Sequence, residues 1–439
     1  MWRRIAVAVI VTLAWGSGES WGGGLSFSEQ GAKATGMGNA FVGQADDPSA
    51  LFYNPAGITQ LEGTQIIYGG SVVYLDTTFR SSTTGESTQL QDQFPLVPHF
   101  FVTHKFKSWD KLSVGLGIYT PFGLAVDWPD NWQGRFSSLN AKFRATIIQP
   151  TIAYEVTKDF SVAAGLRYAN VAAEFQQMFD VGTGGSKARL WDGTADPIGW
   201  NVGLLYKLPE KYATSIGLQF RSEIQANISG SAEFSGPAAA LFKPTSFHSS
   251  FKMPPQLVAG ISTKTIRNWT INAEVEWEGW STIGSIPLHF TSTPDSAVNQ
   301  QVLDKAGCTN QQGAPQAGCR LWKNSRVYRI GAEYKPEGRP YAFRAGYFFD
   351  ETPIPDNTFD ANIPNANLHA LTAGSGYEWD IQGGSLKKVG LDVAYLIGFY
   401  EKRSIDNSTI NPDNQAGPTA FGSYSTTVHV LTVSLTFKF

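Results

Sequence analysis

From about residue 64 to its end the chain alternates. In "LSVGLGI" (112–118), Leu112, Val114, Leu116 and Ile118 take turns with Ser113, Gly115 and Gly117. In "WTINAEVEW" (269–277), Trp269, Ile271, Ala273, Val275 and Trp277 alternate with Thr270, Asn272, Glu274 and Glu276. "VGLDVAYLIGF" (389–399) sets Val389, Leu391, Val393, Tyr395, Ile397 and Phe399 on one side. Successive strand side chains point to opposite faces, so each segment has one apolar face and one small or polar face. A soluble sandwich would bury the apolar faces against each other. An outer-membrane barrel turns them to lipid and lines its lumen with the polar ones. Length decides for the barrel: many segments reach ~10 residues, the span of a tilted membrane strand, where soluble strands average ~5–6.

Composition agrees. Charged residues are 16% and aromatics 13%, with 45 glycines and 13 tryptophans, against ~25% charged residues in soluble proteins. No internal stretch approaches the ~20 apolar residues of a membrane helix. The net charge of -3 argues against nucleic-acid binding. Tight turns are expected at "KSWD" (107–110), "TKD" (157–159), "LPEK" (208–211), "KPEGRP" (335–340) and "QGGS" (382–385). Long connections fall near 80–93, 121–142, 176–196, 228–251, 281–321, 351–366 and 403–424. Short and long connections alternate, as periplasmic turns and extracellular loops do in such barrels, and the segments between them number roughly fourteen. The last, "TVHVLTVSLTFKF", ends on Phe439 with Leu431, Val433, Leu435 and Phe437 on one face. It resembles the insertion signal of bacterial outer-membrane proteins.

"MWRRIAVAVIVTLAW" has Arg3 and Arg4, then an apolar run from Ile5 to Trp15. That is a secretory signal layout, too short to span as a helix, with cleavage expected between Ser20 and Gly24. Residues 1–23 are therefore assigned to a signal peptide. Cys308 and Cys319 lie in "CTNQQGAPQAGC". In an exported chain they are expected to form a local disulfide. No metal is expected, because no further Cys or His ligand lies nearby.

About fourteen strands enclose more space than their own side chains fill, so something must plug the lumen. Residues 24–63 are the sizeable non-strand segment available. Gly31, Gly36, Gly38 and Gly43 permit tight turns. Asp46 and Asp47 can cap a short helix near "PSAL", and Phe41, Leu51, Phe52 and Tyr53 supply apolar surface. A disordered periplasmic tail is the alternative, although the aromatic content is high for disorder. The expected fold is all-β: a 14-stranded antiparallel transmembrane barrel over 64–439 with an N-terminal hatch at 24–63 inside it.

"SEQGAKATGMGNAFVGQADDPSALFYNPAGIT" (28–59) resembles the N-terminal hatch of the FadL family, outer-membrane transporters of long-chain fatty acids and other hydrophobic compounds. The match centres on Asn54, Pro55 and Ala56 behind "ADD". Further matches follow in order: "YTPFGLAVDWPDNWQGRF" (119–136), "IIQPTIAYEVTKDFSVAAGLRY" (147–168), "GWNVGLLYKL" (199–208) with "RSEI" (221–224), and "FRAGYFFDETPIPD" (343–356). The resemblance implies a monomer in the bacterial outer membrane, bedded in its lipid and lipopolysaccharide. It implies that ligand enters through extracellular loops and passes a pocket beside the hatch. Ligand then leaves sideways where the third strand kinks. On this chain that strand is expected from about Lys111 to Thr120, and the opening at Thr120, Pro121, Phe122 and Gly123. Pro121 cannot donate to a ladder, and Gly115, Gly117 and Gly123 tolerate bends. Those glycines could equally make room for the hatch.

The candidate apolar contacts are Phe41, Leu51, Phe52 and Ile58. By family analogy an outer capture site uses loops 176–196 and 228–251. "AAALF" (238–242) and Phe247 in the second make either a landing surface or a packed loop core. Fatty-acid members of the family hold the carboxylate with basic groups. Here Arg167, Arg221, Arg329 and Arg344 face the lumen by strand register, with Arg167 and Arg344 the first candidates. Glu223, Glu274, Glu276, Glu333 and Asp392 share that lumen and are ready partners for them. No basic pair ends the fifth strand, since "YANVAAEFQQ" is uncharged except for Glu174, which leaves neutral hydrocarbons as an alternative cargo. The histidines, His99, His104, His248, His289, His369 and His429, form no HExxH, and no GxSxG elbow occurs. No enzymatic activity and no cofactor are expected. An adhesin using the long loops is the remaining alternative. The reading is passive, hatch-gated uptake of hydrophobic small molecules, long-chain fatty acids first.

Overall fold

The computed structural model describes residues 25–180, 185–240, 242–286, 288–291, 320–406 and 420–439. The expected signal peptide and both cysteines of the expected disulfide, Cys308 and Cys319, lie outside the described residues. Among the described residues the wall strands are β1 (Thr64–Ser81), β2 (Leu96–Lys105), β3 (Leu112–Asp127), β4 (Asn140–Thr157) and β5 (Phe160–Asp180). Three interrupted strands follow: β6 (Gly185–Ala195, then Ile198–Lys207), β7 (Thr214–Arg221, then Ile224–Ser235) and β8 (Thr245–Met253, then Gln256–Thr263). The wall continues as β9 (Trp269–Glu278), β10 (Ser325–Tyr334), β11 (Tyr341–Asp350), β12 (Leu368–Asp380), β13 (Lys388–Tyr400) and β14 (Gly422–Lys438). Each pairs antiparallel with the next, and β14 returns to β1 in register from Gln65↔Lys438 to Ser81↔Gly422. The sheet closes on itself as a fourteen-stranded barrel, as the alternation and turn spacing predict.

The outer face carries Ile216, Leu218, Leu257, Ile261, Tyr328, Ile330 and Leu371, all exposed. Such a band is stable only against lipid. Among the described residues no helix is long and apolar enough to cross a membrane; this chain crosses with strands.

The sequence led us to expect loops at 176–196 and 228–251. These segments are instead largely strand, extending β5–β8 beyond the lipid-facing band. Along β7 the apolar residues keep one parity: Ile216, Leu218 and Phe220, then Ile224, Ala226 and Ile228. Below the break at 222–223 they face outward; above it they are buried, and Gln225, Asn227 and Ser229 are exposed instead. β8 does the same about Pro254 and Pro255, with Leu257 and Ile261 outward and Phe251 and Met253 inward. β6 turns over near Asp192, a non-glycine residue at φ 52. An extra residue in a strand rotates everything beyond it by one face. The barrel is thus apolar outside and polar inside at one level, and polar outside and apolar inside above it.

Residues 25–63 pack inside this wall as a plug. They form helices at Ala32–Thr35 and Ala50–Tyr53 and a 3-10 turn at Pro55–Gln60. Lumenal side chains supply the backbone partners that so irregular a segment lacks. Gln149 donates to the Leu51 carbonyl at 2.6 Å, Gln219 to that of Phe52 at 2.7 Å, and Ser71 to that of Glu29 at 2.9 Å. Wall glycines give it room: a Cβ at Gly217 would run into the carbonyl oxygen of Val42, and one at Gly331 into that of Met37.

Candidate functional site

Asn54, Pro55 and Ala56 tie the plug together and to the wall. Asn54 Nδ2 donates to the carbonyls of Val42 and Leu204, each at 2.9 Å, and its Oδ1 accepts the Ala56 N–H at 3.2 Å. Pro55 then starts the 3-10 turn, where its missing N–H costs nothing. Before the Ala50–Tyr53 helix, Asp47 Oδ1 accepts the Ser49 N–H at 2.8 Å, but the N-cap residue is Ser49 and makes no side-chain cap, and Asp46 pairs with Lys33 at 2.8 Å instead of capping. Phe41, Leu51, Phe52 and Ile58 are all buried. Phe52 stands edge-on to Tyr53 at 4.8 Å and to Tyr119 of β3 at 5.2 Å; Phe41 meets Tyr53 at 5.4 Å. These four residues belong to the buried apolar cluster of the plug, and Phe52 lies against Arg221.

All four predicted arginines are buried in the lumen, but their partners differ. Arg344 bonds Glu333 at 2.7 Å and Asp392 at 2.6 Å. Arg329 bonds Glu274 at 3.0 Å and Glu276 at 2.7 Å. Arg221 meets Glu276 at 3.3 Å, donates to the Phe52 carbonyl at 2.8 Å and lies 4.3 Å over the Phe52 ring. Arg167 is 1% exposed and, among the described residues, has no carboxylate partner. Its Nη1 makes one long bond, 3.4 Å, to the Ser222 carbonyl, and its Nε and Nη2 have no hydrogen-bond partner. Its guanidinium also has a hydrogen-bonding contact with the Tyr119 hydroxyl and stands near the cationic Arg221. A buried guanidinium left this way has N–H groups free to donate to an anion. Glu223, expected in the lumen, lies at the β7 break and pairs with half-exposed Lys252 at 3.4 Å.

The wall is unpaired where the third strand was expected to open. β2 and β3 pair from Lys105↔Ser113 to Phe100↔Ile118 and no further as a ladder. β3 does not end at Thr120 but runs to Asp127, with a register shift against β4 between Tyr119 and Phe122. Residues 119–126 are all buried, so here both faces are covered. The edge that β2 leaves free is taken by the start of the plug. Thr120 and Pro121 carbonyls accept from Gln30 Nε2 and the Phe27 N–H, each at 2.8 Å, and the Gly123 N–H donates to Leu25 at 3.0 Å. Ser26 bridges to Phe122 and donates to Glu278 at 2.6 Å. Gly115 does make room for the plug, since a Cβ there would lie 2.7 Å from Leu51 Cδ2; Gly117 faces Phe101 instead.

At the short-turn end the plug sits over a vestibule of about 480 Å³, lined by Lys33, Asp46, Glu333, Arg344, Asp392 and Lys438 among others. Burial alone would raise the Asp46 carboxyl, but the Lys33 and Lys264 charges hold it down at about 2. So charged a floor is a barrier to an apolar molecule. Two Ser–His contacts exist, Ser229 Oγ with His248 Nδ1 and Ser434 Oγ with His99 Nε2, each at 2.9 Å. Neither imidazole bonds a carboxylate among the described residues, so neither has the orienting third group of a nucleophile–base pair. Phe247 is buried in the upper interior and belongs to packing, not to a landing surface. Sequence reasoning missed Tyr119, Gln149 and Gln219, although each is the polar or aromatic inward member of an alternating strand.

A family model described as "Outer membrane protein transport protein (OMPP1/FadL/TodX)" matches residues 13–439. A long-chain fatty acid transport protein of Salmonella typhi is 25% identical over 429 residues, 90% of this chain and 90% of that protein. The crystal structure of a Pseudomonas aeruginosa FadL homologue superposes with a TM-score of 0.77 at 17% identity, covering 95% of this chain and all of that one. The Ralstonia pickettii toluene transporter TbuX gives 0.63 at 18% identity, over 92% and 97% of the two chains.

Proposed function

The chain belongs to the OMPP1/FadL/TodX family of outer membrane transport proteins, and from that premise we propose that its cargo is long-chain fatty acids, bound by the carboxylate at Arg167. The family consists of transport channels of the outer membrane, not enzymes, and this barrel is one of them. The observation that carries the reading is the state of Arg167, a buried guanidinium without a carboxylate while Arg221, Arg329 and Arg344 each have one. A fatty-acid head group would supply the missing charge, and the apolar upper interior would take the tail. Arg344, the other candidate, is assigned to holding the floor.

The protein acts in this reading as a passive monomer. Ligand entering from outside displaces the strap Leu25–Phe27 and the Phe52 region, and leaves sideways between β2 and β3 past Thr120–Gly123. Uptake of radiolabelled oleate and of toluene, in cells lacking their own transporter, tests it. Wild-type protein is expected to stimulate oleate uptake, and Arg167→Met to abolish that without changing the amount inserted. Toluene uptake alone, indifferent to Arg167, would replace this reading with neutral aromatic cargo carried through the same apolar interior.

A further inference from the structure

Where lipid surrounds a strand wall, each backbone group must find its partner on a neighbouring strand. Besides the β2–β3 gap, the wall departs from this between β6 and β7. The two strands are in register from Lys207↔Ser215 to Asn201↔Arg221, and again from Thr194↔Ser229 upward. Between these ladders, residues 195–199 and 223–228 belong to neither register. Pro197 has no N–H to give, and its carbonyl is turned to Ala169 on β5. The unpaired stretch runs over about five residues, roughly 16 Å of strand.

Its height is marked by its outer face. Ile198, 68% exposed, and Trp200 lie at its lower end, while Gln225 and Asn227 face outward at its upper end. The seam therefore sits where the lipid-facing band gives way to the water-facing one, the level of the lipid head groups. Little holds it shut. The Ser222 N–H donates to the Trp200 carbonyl at 2.9 Å and its Oγ accepts the Trp200 N–H at 2.8 Å. Ile224 fills the space over Gly199, where a Cβ would lie 2.5 Å from Ile224 Cγ1. Behind Ser222, bonded to its carbonyl, stands Arg167 with two unpartnered nitrogens.

We propose that the β6–β7 seam is a second lateral port, used by carboxylate-bearing amphiphiles, with Arg167 at its inner mouth. It rests on the reading of Arg167 as the head-group site. An amphiphile in the leaflet carries its carboxylate at the head-group level and its tail in hydrocarbon. Sliding through a seam at that height passes the head between interface and Arg167 while the tail stays out of water. A neutral hydrocarbon gains nothing from the arginine, so this route is selective for acids, whereas the β2–β3 gap is not.

The test bridges the seam from outside. Ile198→Cys and Gln225→Cys are joined by a short bis-maleimide, in a background of Cys308→Ser and Cys319→Ser. The control joins Leu204→Cys to Leu218→Cys, which are already paired in register. Bridging the seam is expected to lower cellular oleate uptake about twofold, the β2–β3 gap staying open, while oleate binding to the purified protein is unchanged. The control bridge should change neither. Unchanged uptake overturns the port, and so does loss of binding together with uptake, because the bridge would then merely distort the site. Arg167→Met separates the two ideas. Uptake indifferent to that substitution overturns the head-group reading and the port with it; uptake lost there but untouched by the bridge overturns the port alone.

Discussion

The carboxylate of Glu274 on β9 receives the backbone N–H of Val42 at 2.9 Å, joining the wall directly to the irregular segment inside it. The same oxygen takes the Phe41 N–H at 2.9 Å, and the other oxygen takes Arg329 at 3.0 Å. Removing the acid leaves two buried N–H groups without an acceptor and takes one carboxylate from Arg329. Glu274→Ala should therefore destabilise the protein by about 2–4 kcal/mol. It should also raise the conductance of single barrels in planar bilayers, because the plug loses an anchor. An unchanged conductance would mean that Glu274 does not hold the plug.

Gly217 gives a steric version of the same test. Its missing side chain lets Val42 approach β7, and any Cβ there meets the Val42 carbonyl. Gly217→Leu should displace the plug without touching a charge, measured as leak of a large hydrophilic antibiotic into cells. At Gly390 the nearest atom to a new Cβ is 3.4 Å away. Gly390→Ala should leave the permeability as it was.

The barrel was legible because lipid enforces its rule on every wall strand: one apolar face, ~10 residues long. The plug was legible only as a segment that fits no strand and carries too much aromatic surface for a tail. Its hold on the wall was not, because Gln149, Gln219 and Glu274 come from distant strands that meet only when the barrel closes. The four lumenal arginines could be placed by parity, yet parity says nothing about whether a carboxylate stands opposite. Arg344 and Arg167 read alike in sequence and differ entirely in partners. The third strand was ended at Thr120 because Pro121 cannot join a ladder; the strand passes through since its free edge there meets Leu25–Phe27 rather than β2.

The floor of the lumen should respond to acid. Asp46 is held at about 2 by Lys33 and Lys264 against its burial, below the ~3.9 of an unperturbed aspartate. A depressed carboxyl contributes stability that is present above the unfolded value and lost as pH falls through the folded one. Barrel conductance should therefore stay low from neutral pH down to about 4 and rise between about 4 and 2. Asp46→Asn, which has no charge to lose, should show the raised conductance at neutral pH and no further step. A step at the same pH in Asp46→Asn would assign the response to another group.

The turnover of faces along β7 makes a prediction that alternation by itself reverses. A strand that kept its faces throughout would leave Ile224, Ala226 and Ile228 outward, continuing Ile216, Leu218 and Phe220. The break at 222–223 instead buries them and turns Gln225, Asn227 and Ser229 outward. Single cysteines at these positions, in a background without Cys308 and Cys319, can be probed on intact cells with a membrane-impermeant thiol reagent. Labelling is expected at Gln225→Cys, Asn227→Cys and Ser229→Cys. It should be absent at Ala226→Cys and Ile228→Cys, which are interior, and at Leu218→Cys, which is in lipid. The same reversal on β8 should leave Ser250→Cys labelled more than Phe251→Cys. Strong labelling of the even positions on β7 would mean that the strand runs straight. The inward apolar face that the upper interior needs would then be lost.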